Sequence, residues 1–107
     1  MRLYISGPIT NNPNYRRDFA TAQSILESMG HDDIVNPAEL CQVINTEKFT
    51  YKQIMNTCKD LLRTCDALIL LPGYMESHGC GIEEGIAEEN DLLIVEFQDY
   101  VEGRYKK

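Results

Sequence analysis

Short unbroken apolar runs alternate along this chain with stretches in which apolar residues recur every three or four positions. Arg2 to Ser6 (RLYIS) is the first run and reads as a strand, which Gly7-Pro8 ends because proline donates nothing to a ladder. Phe19, Ala22, Leu26 and Met29 then fall on one helical face, with Asn12-Pro13 as the opening signal and Gly30 as the stop. Asp33 to Val35 is a short second strand. Asn36-Pro37-Ala38-Glu39 follows with the form of a helix start, Asn36 capping and Glu39 reaching back, for a short helix through about Ile44. Thr50-Tyr51-Lys52-Gln53 has the capping-box form, and Ile54, Met55, Cys58, Leu61, Leu62 and Cys65 make an apolar stripe behind it.

Asp66 to Leu71 (DALILL) is apolar almost throughout, as a parallel strand covered on both faces requires. Pro72-Gly73 breaks it, Tyr74 to Ser77 form a loop, a helix spans about His78 to Asn90, and Leu92 to Phe97 is the last strand. Residues 1–97 therefore form one domain and 98–107 a polar C-terminal tail. Strands alternating with helices predict an α/β three-layer sandwich of flavodoxin-like or Rossmann-like type. The sheet is open and parallel, with about four strands in the order 2-1-3-4 and helices on both faces. Ligands of such sheets collect beyond the carboxyl ends of the strands where the order reverses, here between the loops after the first and third strands.

Composition narrows the partners. Apolar residues are 43% and charged residues 25% of the 107, ordinary globular usage. The formal charge of −7 opposes a sequence-independent grip on nucleic acid, which needs a concentrated basic surface. Cys41, Cys58, Cys65 and Cys80 form no C-x-x-C pair, so a zinc site of the usual short spacing has no support and no metal or cofactor is expected. No apolar run approaches the roughly 20 residues that span a bilayer. No basic leader precedes the first strand, so the expectation is a cytoplasmic protein with reduced thiols.

The two loops singled out by topology carry most of the unusual chemistry. After the first strand, Gly7 permits close approach to the backbone, and Ser6, Thr10 and Asn11 offer short polar groups beside a helix start, although a plain strand-helix connector has the same form. After the third strand, Ser77-His78-Gly79-Cys80-Gly81-Ile82-Glu83 places a hydroxyl, two glycines and a carboxylate around the first turns of a helix. Facing the positive helix end, Glu83 is expected to stay ionised, the form a nucleophile needs. Equally, Glu83, Glu84, Glu88 and Glu89 have the pattern of a solvated helix face. Tyr4 either reaches the crevice or packs beneath it. His31 and His78 have no partner readable from spacing, and the glycine pattern lacks a P-loop lysine.

Tyr4-Ile5-Ser6-Gly7-Pro8-Ile9, Val35-Asn36-Pro37, Cys65-Asp66-Ala67 through Leu71-Pro72-Gly73, and Ser77-x-Gly79-x-x-x-Glu83 together resemble the nucleoside 2-deoxyribosyltransferase-like proteins, from residue 1 to about residue 97. The resemblance implies cleavage of the N-glycosidic bond of a nucleoside or nucleoside 5′-monophosphate, by transfer or hydrolysis. Glu83 is the implied nucleophile and forms a glycosyl-enzyme, with Tyr4 orienting it. Ser6, Gly7, Pro8, Ile9, Ser77 and Gly79 are the implied substrate-binding residues, and a homodimer or larger homo-oligomer the implied assembly. Relatives usually place an aspartate eight residues before the Asp66 position, where this chain has Cys58, a residue of the apolar stripe. Asp60 lies about 200° around the helix from it and should point elsewhere. Relatives also take a polar residue from a neighbouring subunit, for which Asn90 and Gln98 are the candidates. These departures leave open a hydrolase, an altered substrate, or a catalytically impaired nucleotide-binding or sensing module.

Overall fold

A computed structural model describes residues 1–9, 12–39 and 50–105. Within it the apolar runs become one parallel sheet in the order β2-β1-β3-β4, as the alternation of strands and helices required. β1 (Leu3–Ser6) and β3 (Ala67–Leu70) are central and buried at every position. They pair from Leu3 with Ala67 through Ser6 with Leu70. β2 (Ile34–Val35) lies outside β1 and β4 (Leu93–Glu96) outside β3. Both central strands are buried on both faces because helices cover the sheet on both sides.

Side-chain alternation in the strands divides the core. Leu3, Ile5, Ala67 and Ile69 pack with Phe19, Ala22 and Leu26 of α1 (Tyr15–Ser28). Tyr4, Leu68 and Leu70 face the opposite way, toward Cys58 and Leu62 of α2 (Tyr51–Leu62) and Ile86 and Ala87 of α3 (His78–Glu89). The capping box of α2 forms as its sequence indicates, with Gln53 N donating to Thr50 Oγ1 at 3.2 Å and Thr50 N to Gln53 Oε1 at 2.8 Å. Such a cap is worth about 1 kcal/mol. Asn36 also caps, its Oδ1 accepting from Ala38 N at 3.0 Å, and residues 37–39 are helical. The remainder of the helix expected through Ile44 lies outside the described residues, as do Thr10, Asn11 and Cys41.

Two boundaries differ from the sequence expectation. Asn12-Pro13 does not cap α1: Asn12 Nδ2 donates to Pro8 O at 2.9 Å and its Oδ1 accepts from Asn14 N at 3.1 Å. Those bonds fold a turn, and the helix starts at Tyr15. The polar C-terminal tail contains a helix, α4 (Phe97–Val101), which begins one residue before it and carries Tyr100 into the core at 3% exposure. Tyr100 Oη shares a 3.0 Å hydrogen bond with His31 Nε2, and Tyr105 stacks on the Tyr100 ring at 4.8 Å. Two aromatic residues spaced among charges anchor the segment without a recognisable helical pattern. No helix among the described residues is long and apolar enough to cross a membrane.

Candidate active site

The strand order reverses between β1 and β3, and their carboxyl ends deliver both loops to one place. Ser6 closes β1 and its carbonyl accepts from Leu71 N at 2.7 Å. Gly7 fits this junction closely, since a Cβ there would lie 3.0 Å from Leu71 Cβ and Cδ1 and would press Leu71 aside. After β3, Gly73 turns the chain at φ +87°, a single-turn 3-10 helix (Tyr74–Glu76) follows, and Ser77 caps α3, its Oγ accepting from Cys80 N at 3.3 Å.

Glu83 is the sixth residue of α3 and turns inward, only 7% exposed. The glutamate run is therefore split: Glu84 is half-buried, Glu88 and Glu89 are exposed, and Glu83 alone joins the interior. The fully buried Ser6 hydroxyl donates to Glu83 Oε1 at 2.7 Å. Tyr4, on the same face of β1, brings its buried hydroxyl beside the Glu83 carboxylate and the Cys58 thiol, near enough to feel both but not aligned into a hydrogen bond. Burial and the neighbouring carboxylate push the Tyr4 pKa far above the usual phenol value.

The electrostatic setting of Glu83 corrects the sequence expectation. Its second-turn position lies beyond the short reach of the helix terminus, and burial raises its pKa, opposed by the Tyr4 and Ser6 hydroxyls. Against that burial, the Ser6 hydroxyl bonded to Oε1 and the Tyr4 hydroxyl nearby favour the charged form. Cys80, also buried, has its thiol pKa raised by the same desolvation.

Glu83 forms part of the wall of a cavity of about 230 Å3. Gly7, Ser77, Gly79 and Cys80 line it with the carboxylate, together with Ile9, Phe19 and Pro37 and with Ile54, Met55 and Cys58 of α2. Of the residues singled out in the sequence, Gly7, Ile9, Ser77, Gly79 and Glu83 therefore meet around one space. Ser6 and Tyr4 stand behind Glu83, while Pro8 lines a separate hollow of about 350 Å3 with Asn12, Asp18 and Phe97. The α2 contribution was legible only as an apolar stripe, since nothing in its spacing distinguishes packing residues from cavity wall.

Asp60 points to solvent and pairs with Arg63 at 2.9 Å, as its helical angle required. Asn90 closes α3 through a 2.8 Å bond from its Nδ2 to Ile86 O, and exposed Gln98 borders the second hollow. Cys58, Cys65 and Cys80 are buried and in no disulfide. Among the described residues no three His, Cys, Asp or Glu side chains gather to hold a metal.

Comparison with known proteins gives no match to any curated protein. A family profile described as a domain of unknown function, DUF4406, matches residues 1–96. That span contains all four strands, both loops and Glu83. The chain thus belongs to the DUF4406 family.

Proposed function

We infer that this protein cleaves the N-glycosidic bond of a nucleoside or nucleoside 5′-monophosphate, by 2-deoxyribosyl transfer or hydrolysis, through Glu83. The observation that carries this reading is a carboxylate 7% exposed, bonded at 2.7 Å by a buried serine, in the wall of a cavity at the carboxyl ends of the central strands. Burying a carboxylate is costly, and no cation pairs with it in the cavity wall among the described residues. A solvated helix face has no need of such a group, whereas a nucleophile does. The likeness of both loops to nucleoside 2-deoxyribosyltransferase-like proteins supplies the reaction class.

In the first step a Glu83 oxygen bonds to the anomeric carbon while the carbon–nitrogen bond breaks and its electron pair leaves with the base. Water or an acceptor base then attacks the same carbon from the opposite face, Glu83 returns to the carboxylate, and the proton lost by the attacking group passes to the departed base. Ser6 steadies the nucleophile in its ionised form, and Tyr4 limits the positions the carboxylate can take. Ser77 and Gly79 flank the carboxylate at the start of α3, suited to contact the sugar. The resemblance adds a second copy of the chain as the partner that completes the site.

Incubation with deoxynucleosides and their 5′-monophosphates tests this, with free base separated chromatographically. The native protein should release base and Glu83→Gln should not; equal release by both excludes Glu83 from the reaction. Cys58 in the cavity wall favours one other reading, a binding or sensing module, because a thiol is a poor acid for a departing base. Nucleotide binding by calorimetry without base release would decide for it.

A further inference from the structure

Breaking a glycosidic bond requires a place for the electron pair that leaves with the base. A neutral purine or pyrimidine departs as an anion unless an acid protonates it, and a positioned acid is typically worth about 10²–10⁴-fold in rate. Among the described residues the cavity is poor in such acids. Among the described residues its protonatable side chains are Glu83, Cys58 and Cys80, with the Tyr4 hydroxyl behind them. Glu83 is occupied as the nucleophile, thiols are weak acids, and burial weakens both Cys80 and Tyr4 further.

The walls have a second property. Glu83 is the one acidic or basic side chain lining the space among the described residues, negative in its role as nucleophile, while Phe19 and the thioether of Met55 supply polarisable apolar surface. A positively charged aromatic ring is attracted by the carboxylate and tolerated by such walls. A neutral ring gains only the second of these.

Resting on the reading of Glu83 as nucleophile, we propose that the preferred substrate is a nucleoside whose base is already cationic, a pyridinium or an N-alkylated purine. The balance then closes without an acid. Glu83 bonds to the anomeric carbon, the bond to the cationic nitrogen breaks, and its electron pair neutralises the base as it leaves. Water next attacks the anomeric carbon, Glu83 is released as carboxylate, and the spare water proton passes to solvent.

The test uses the native protein with 7-methyl-2′-deoxyguanosine, the 2′-deoxyriboside of nicotinamide and 2′-deoxyguanosine. Each rate of base release is divided by the uncatalysed rate in the same buffer, because cationic nucleosides are intrinsically labile. Acceleration of both cationic compounds should exceed that of 2′-deoxyguanosine by about 10²-fold, the lower end of what an acid contributes. Cys58→Asp, which returns an acid to the wall, should narrow that gap by about tenfold or more. If the variant does not fold, the comparison on native protein decides alone. Equal acceleration of all three, dependent on Glu83, overturns the preference and leaves the glycosidic reaction standing; no release from any of the three and none from the 5′-monophosphates overturns both.

Discussion

Replacing Ser6 with alanine removes a hydrogen bond to Glu83 that favours its ionised form. The substitution removes the 2.7 Å donor to Glu83 Oε1 at a position with 0% exposure, so water does not take its place. A hydrogen bond to a charged group contributes about 1.5–3 kcal/mol, against about 0.5–1.5 kcal/mol to a neutral one. Burial raises the folded-state pKa of Glu83 above its ordinary 4.5. Its contribution to stability is therefore complete below that ordinary value and is lost as pH rises through the folded pKa. Ser6→Ala raises the folded pKa again and deepens the loss. At about 4 °C per kcal/mol for a domain of this size, the melting temperature should fall by about 6–12 °C at pH 8 and by roughly half as much at pH 4. Circular dichroism melts at the two pH values, with a carboxyl 13C titration of Glu83, measure both effects. An equal loss at both pH values with an unmoved titration would refute the assignment of Ser6 as the carboxylate's donor.

Glu83→Gln keeps an acceptor for Ser6 but removes the buried charge, so it should stabilise the fold by about 1 kcal/mol at pH 8 and little at pH 4, read by urea titration. Gly7→Ala drives a Cβ to 3.0 Å from Leu71 and should cost about 1–3 kcal/mol by the same method, with base release falling as the junction shifts. Tyr100→Phe removes the bond to His31 and should cost about 1 kcal/mol, while Tyr100→Ala should cost about 3–5 kcal/mol and raise amide exchange across α4.

The sheet was legible because burial on two faces leaves few compositions for a central strand: DALILL and RLYIS carry that signature, and alternation with helices fixes the order. The site was legible in part. Its two loops follow from topology, and Ser77, Gly79, Gly7 and Ile9 meet where the order reverses. Glu83 stood in a run of similar residues, and only the helix rotation set by α3 packing on β3 separates it from Glu84. Cys58 looked like core and is core, yet the same side chain borders the cavity, a distinction that depends on how far α2 stands from the sheet. The α4 segment was hidden for another reason: one aromatic side chain bonded to a distant histidine anchors a helix without any repeating apolar pattern.

Trapping a glycosyl-enzyme shows whether Glu83 itself bonds to the sugar. A 2-deoxy-2-fluoro nucleoside slows both steps, the second enough for the covalent species to persist. Intact-mass and peptide mass spectrometry should find the fluorosugar on the peptide containing Glu83, and none on Glu83→Gln. A sugar attached elsewhere, or base release from the same analogue with no adduct at any time point, would contradict a carboxylate nucleophile at residue 83.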